Sequence, residues 1–195
     1  MKTALNLLFL SGILFLFACE EKGPNSTSQE EKSDANNWVS FEKYLSSLEM
    51  IELPLIHNPN IGLPEISRGY DKNGFKKYHH SWAMQPLGIL YKSDQSTGII
   101  DCSAGDWGLV PFLMTYDLEG NKIDSAKFYS ISGRDMAYEA IEHLHINEDL
   151  SVTITDTVKR WEIKEDQSDI VEGSMKMKTG KTEFQIHRDG RIKKN

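Results

Sequence analysis

Three patterns of apolar and polar positions follow one another along the chain. From Ala4 to Ala18 the residues are apolar apart from Asn6, Ser11 and Gly12. From Glu20 to Asn37 they are mostly Glu, Lys, Ser, Asn and Gln, with one Gly23-Pro24 pair, and from Trp38 onward apolar residues recur at short intervals. The first run follows Lys2 and is shorter than the roughly 20 apolar residues a membrane-spanning helix needs, which predicts a secretory signal peptide over residues 1–18. The second cannot bury enough apolar surface to offset the entropy of ordering, which predicts a flexible tether over residues 19–37. As a coil it would reach about 21–25 Å.

The third stretch, 158 residues from Trp38 to Asn195, is one domain's worth of chain. Phe41, Tyr44, Leu45 and Leu48 form one apolar stripe at helical spacing, with Ser40 placed to cap the helix and Val39 to staple onto Tyr44. This amphipathic helix is expected to be the regular helix of the domain. Pro54, Pro59, Pro64, Gly62 and Gly69 keep residues 52–69 extended. From Tyr70 the pattern shortens to strands separated by turns, with Asn73-Gly74 the strongest hairpin signal and Glu119-Gly120-Asn121, Thr179-Gly180 and Asp189-Gly190 three more. Val110 to Tyr116 is apolar on both faces, which predicts a central strand.

Two registers follow from matching apolar faces. A three-residue loop over Asn147-Glu148-Asp149 would set Ile146 opposite Leu150 and Leu144 opposite Val152. A turn at Thr179-Gly180 would set Met175 opposite Phe184, with Met175, Met177, Phe184 and Ile186 on one face. The fold class is therefore mainly β: a single antiparallel meander domain, either a barrel or two packed sheets, with one N-terminal amphipathic helix. The stretch is too short for a propeller, which needs at least four blades of about 40–45 residues.

The end of the first run refines its meaning. Leu16-Phe17-Ala18-Cys19 resembles a bacterial lipobox, in which the cysteine receives a diacylglyceryl thioether and becomes the new N-terminus. Leu16 and Ala18 match that pattern; Phe17 is bulkier than the usual residue. The resemblance implies lipid attachment at Cys19 and an envelope localisation, with lipid chains holding the protein on the outer membrane, on its periplasmic or its surface face. Two or more acyl chains, at about 0.8 kcal/mol per buried CH₂, anchor a protein almost permanently. Glu20-Glu21 resembles the acidic stretch that accompanies surface export in lipoproteins of Bacteroidota, although a solvated linker reads the same. The folded part, with Phe41-x-x-Tyr44-Leu45, Leu53-Pro54 and Tyr116-Asp117-Leu118-Glu119-Gly120, is similar to uncharacterised lipoproteins of that phylum, a likeness that implies no activity.

Charge narrows the partners. The formal net charge is −7 at pH 7, and removing Lys2 with the signal peptide makes it −8, which argues against nucleic acid. The last residues run the other way: from Ser174, seven Lys and Arg face only Glu183 and Asp189. A basic end could orient the domain on an anionic membrane, but a Lys-rich edge strand is the commoner cause. With Cys19 committed to lipid, Cys102 has no intramolecular disulfide partner and reads as a core thiol.

Candidate chemistry is sparse. His143 and His145 share one strand face, with His79-His80 or His187 as a conceivable third ligand, but they fall on the polar side of the derived hairpin, so neither a metal nor another cofactor is expected. Asp101-Cys102-Ser103-Ala104-Gly105-Asp106-Trp107-Gly108 gathers two carboxylates, a thiol and a hydroxyl without a nucleophile elbow. Asp101 and Asp106 could equally accept backbone N–H groups at a turn. Trp107, with Asp106, is the candidate platform for a sugar or peptide; a hydrophobic anchor is the commoner use of Trp. The expectation is a lipid-anchored, non-catalytic binding or accessory module with an envelope protein or glycan as partner. The alternatives are an envelope hydrolase centred on residues 101–107 and a structural component of an outer-membrane assembly.

Overall fold

The computed structural model describes residues 40–58, 62–63 and 68–195. The signal peptide, Cys19, the tether, Val39, Pro59 and Pro64 lie outside the described residues. Among those described, the chain runs β1 (Leu55–His57), α1 (Lys72–Tyr78), β2 (Gln85–Lys92), β3 (Thr97–Gly105), β4 (Gly108–Tyr116), β5 (Lys122–Lys127), β6 (Gly133–Asp135), β7 (Tyr138–Ile146), β8 (Ser151–Arg160), β9 (Lys176–Ile186) and β10 (Ile192–Lys194). All strand pairs of the sheets are antiparallel, and the strands form two sheets rather than a closed barrel. One is the meander β2-β3-β4-β5; the other is β1-β7-β8-β9-β10, with β6 added to β7.

The meander is apolar on both faces because it is the middle layer of three. Leu87, Leu90, Ile100 and Leu113 pack against Leu144, Ile146, Val152, Ile154 and Ile186 of the second sheet. The alternate residues Ile89, Ile99, Met114 and Tyr116 pack against Phe41, Tyr44, Leu45, Leu48, Phe75 and Tyr78. Strands covered on both sides lose the simple alternation of a half-wet sheet, and β4 has its last six residues buried. Residues 40–46 are helical in the structure, the start of that element falling outside the described residues, and their apolar side chains join α1 to cover the meander. Phe41 lies 4.9 Å from Tyr78 and 5.2 Å from Tyr116 between ring centroids. Residues 49–51 bond to the outer edge of β2, with Ile89 N donating to Glu49 O and Ile51 N to Ile89 O, both at 2.8 Å.

Polar bonds tie the sheets at one end. Ser96 Oγ and Ser93 Oγ donate to Arg188 O at 2.8 and 2.9 Å, Thr115 Oγ1 to Gly190 O at 2.7 Å, and Ile192 N to Asp124 Oδ2 at 2.9 Å. Thus the β2–β3 turn, β4 and β5 are joined to the β9–β10 turn and β10.

Four sequence expectations are corrected. Asn73-Gly74 is no hairpin: both lie in α1, whose N-cap Asp71 accepts from Asn73 N at 3.0 Å. A Cβ on Gly74 would sit 2.6 Å from the Tyr44 ring, so the glycine provides close approach between layers. α1 also means that residues 41–48 are not the domain's single regular helical element. Thr179-Gly180 lies inside β9, where Gly180 pairs with Asp156 and leaves room for its carboxylate. With no turn there, Met177 keeps the opposite parity to Phe184 and Ile186, and Met175 and Met177 are exposed. Finally, Ile146 pairs with Val152 and Leu144 with Ile154, two residues beyond the expected register. The turn comprises Glu148 to Leu150 between Asn147 and Ser151, with Leu150 at φ 62°, so the loop has the expected length but starts one residue later.

Candidate functional site

β3 separates the groups that its sequence brings together. Ile99 and Ile100 enter opposite core clusters, and the same alternation puts Asp101 under the helical layer and Cys102 against the other side. Asp101 is fully buried; its Oδ2 accepts from His80 N at 2.7 Å, while Oδ1 has no hydrogen-bond partner. Burial pushes its carboxyl up to about 8, with the His80 N–H bond pulling the other way. Cys102 is buried with Sγ 3.7 Å from Gln85 O, and burial raises its thiol to about 11. A thiol held protonated is a poor nucleophile. Ser103 is half-buried.

The tip of the β3–β4 hairpin holds Asp106 and Trp107. Asp106 Oδ2 accepts from Arg134 N at 3.1 Å, the Trp107 indole N–H donates to Gly133 O at 3.4 Å, and the Arg134 guanidinium lies 5.8 Å from the Trp107 ring centroid. Both residues therefore tie the meander to β6 of the second sheet. Behind the tip is a cavity of about 30 Å³ lined by residues that include His57, Trp107, Tyr129, Ser132 and Glu142. Glu142 is buried, and its carboxylate accepts from Ser130, Ile131 and Ser132 N at 3.1, 3.0 and 2.8 Å. Tyr129 Oη donates to His57 O at 3.2 Å and contacts His57 Nδ1. Burial first, then the neighbouring His143, lowers the His57 pKa. An acid in the run Ala140-x-Glu142-x-Leu144-x-Ile146 occupies an inward register position, a signal that was present in the sequence.

A larger cleft opens where the α1–β2 connection passes the β4–β5 turn. It has a volume of about 440 Å³, and His79, His80, Ser81, Tyr116, Asn121 and Lys122 are among its lining residues. The His80 ring stacks on Phe112 at 4.4 Å and stands edge-on to Trp82 at 6.3 Å. Trp82 N donates to His80 Nδ1 at 3.2 Å, so the neutral ring carries its proton on Nε2. Burial, then Lys122, His79 and Lys127, lower the His80 pKa and favour that neutral form. Trp82 is 63 % exposed, with Lys127 Nζ 5.0 Å from its ring centroid.

The two lysines reach one side through a bulge. Tyr116 pairs with Lys122, Met114 with Ser125 and Phe112 with Lys127, with the register shift between Thr115 and Tyr116. Without it, Lys122 and Lys127 would have opposite parity and project to opposite faces. His79-His80-Ser81-Trp82 was the visible signal for this site; the bulge had none.

His143 pairs with Thr155 and His145 with Thr153 on the polar side of β7–β8. Among the described residues, no group of three or more His, Cys, Asp or Glu side chains is arranged to hold a metal ion. Comparison with protein-family models, curated proteins and solved structures finds no match for this chain.

Proposed function

We propose that the protein is a lipid-anchored component of the bacterial outer membrane, held through Cys19, and that it acts as a non-catalytic binding or accessory module. The anchor reading rests on Leu16-Phe17-Ala18-Cys19 closing a short apolar run, with a polar tether after it. The binding reading rests above all on the cleft beside His80. A neutral imidazole, His80, and Lys122 line it, and the exposed Trp82 indole adjoins it edge-on to His80, with Lys127 over that indole and on the same side as Lys122 through a bulge. Such a set recognises a ligand through stacking, hydrogen bonding and charge. The hydrolase reading finds less support in residues 101–107, because Asp101 and Cys102 occupy opposite faces and Asp106 is engaged with Arg134.

Labelling cells with an alkynyl fatty acid tests the anchor, comparing the wild-type chain with Cys19→Ser. The wild type is expected to carry the label and sediment with outer membranes, and the variant to lose the label. A wild-type chain without label would overturn the anchor. Capture of envelope extracts by the full chain and by Trp82→Ala tests the module: a ligand retained by the wild type and lost from the variant is expected, and equal retention would remove the cleft from the proposal.

A further inference from the structure

We propose that the cleft takes an acidic oligosaccharide, laid along β5 with one sugar ring against Trp82 and its anionic groups beside Lys122 and Lys127. The proposal rests on the preceding reading of the cleft as the binding site, and adds the chemical class of the ligand.

Trp82 is exposed yet oriented: its backbone N–H is bonded to His80 Nδ1, and the His80 ring stands edge-on to it. A solvent-facing indole is a stacking platform with only two side-chain torsions to order. The C–H face of a sugar ring fits such a platform on the face opposite Lys127, whose Nζ lies over the ring 5.0 Å from its centroid.

Charge makes the site selective. The chain as a whole is acidic, but neither Lys122 nor Lys127 makes an ion pair among the described residues. The carboxylates on adjoining elements include Asp117 and Glu119 of the β4–β5 turn, Asp101 of β3 and Asp124 of β5, whose oxygens accept from Ser125 N and Ile192 N. Asp117 Oδ1 accepts from Glu119 N at 3.1 Å and Asn121 N at 2.7 Å within its turn. Asp101, beneath His80, is held in its neutral form by burial. His80 adds a neutral N–H, Asn121 and Ser81 add polar groups, and His79 Nδ1 is buried without a hydrogen-bond partner.

Spacing suits more than one anionic group. Lys122 and Lys127 pair with Tyr116 and Phe112, four residues apart on β4, which separates the two pairs by about 13 Å along the strand. An oligosaccharide charged on separate rings can follow that interval. The volume of the cleft lined by His79, His80 and Lys122, which Trp82 adjoins through His80, lies within the range of about 300–1,000 Å³ common for small-ligand sites.

The test is a titration of the full chain in detergent solution, read by calorimetry and tryptophan fluorescence. The probes are an oligogalacturonate and a heparin-derived oligosaccharide, each with its uncharged counterpart, methyl-esterified or desulfated, and a single-stranded oligonucleotide. At least one acidic oligosaccharide is expected to bind at least about tenfold more tightly than its uncharged counterpart, with Trp82→Ala and the double variant Lys122→Gln/Lys127→Gln each weakening it about tenfold or more. The lysine variant should also lose much of the salt dependence. Equal binding of charged and uncharged sugars, both lost in Trp82→Ala, would overturn the acidic class and keep the cleft as a binding site. Binding that none of the variants changes would overturn both readings. Failure of both acidic sugars to bind, or tighter binding of the oligonucleotide, would overturn the saccharide assignment.

Discussion

At the scale of single residues, Asp101 has the most measurable consequence. Its carboxyl titrates near 3.8 in an unfolded chain and about 8 in the fold. Between those values the unfolded state has released a proton that the native state keeps, so stability falls as pH rises from about 4 to about 8. Asp101→Asn retains an oxygen for the His80 N–H and has no proton to release. Urea unfolding at pH 5 and pH 8 should show the wild type losing stability across that interval and the variant losing less; parallel losses would contradict this account. Asp101 was visible in the sequence as chemistry, but its position beneath His80 depends on contacts between remote segments. Asn73-Gly74 and Thr179-Gly180 illustrate the same limit. A glycine required for space beside Tyr44 or Asp156 has the same local signature as one required for a turn.

Among elements, two of the four glycine turn signals mark turns and two do not. Asp117 to Asn121 and His187 to Arg191 close with the same pair of backbone bonds as Asn147 to Ser151, and each has a positive φ at its fourth residue: Gly120 at 84°, Gly190 at 88° and Leu150 at 62°. Two carry the glycine that such a conformation favours, and both were readable as turns. The third carries leucine, and without that cue the expected register ended two residues short. Gly120 tests the geometry because its missing Cβ would also lie 2.7 Å from Phe41. Gly120→Ala should cost about 2–3 kcal/mol through backbone strain and overpacking. Gly108→Ala, at φ 109° with nothing within 4 Å, should cost less, about 1–2 kcal/mol. Chemical denaturation of the two variants checks the order, and equal losses would contradict the role assigned to Phe41 contact.

For the whole molecule, the alternation of strands announced antiparallel β structure, and the doubly apolar Val110 to Tyr116 announced a covered strand. What covered it was legible in part: the apolar stripe of residues 41–48 announced a covering face, whereas residues 72–78, the rest of the helical layer, carried a hairpin signal and meet their packing partners far along the chain. The site was legible only in part for a related reason: His80 and Trp82 come from one connection and Lys122 and Lys127 from a distant strand. The sheets are further joined by the tip of the β3–β4 hairpin, whose Asp106 and Trp107 bond to β6. Trp107→Ala should therefore loosen β6, with faster amide exchange at residues 133–135 and a stability loss of about 1–2 kcal/mol. Unchanged exchange there would remove the clasp from this account.

The central claim is that this domain recognises a ligand at the cleft beside His80. The most direct measurement is NMR mapping of isotope-labelled full chain titrated with solubilised envelope glycans and peptides. The account predicts saturable shifts concentrated at residues 79–82 and 121–127, with the ligand recovered intact. Shifts centred on residues 101–108, with cleavage of the added ligand, would contradict it.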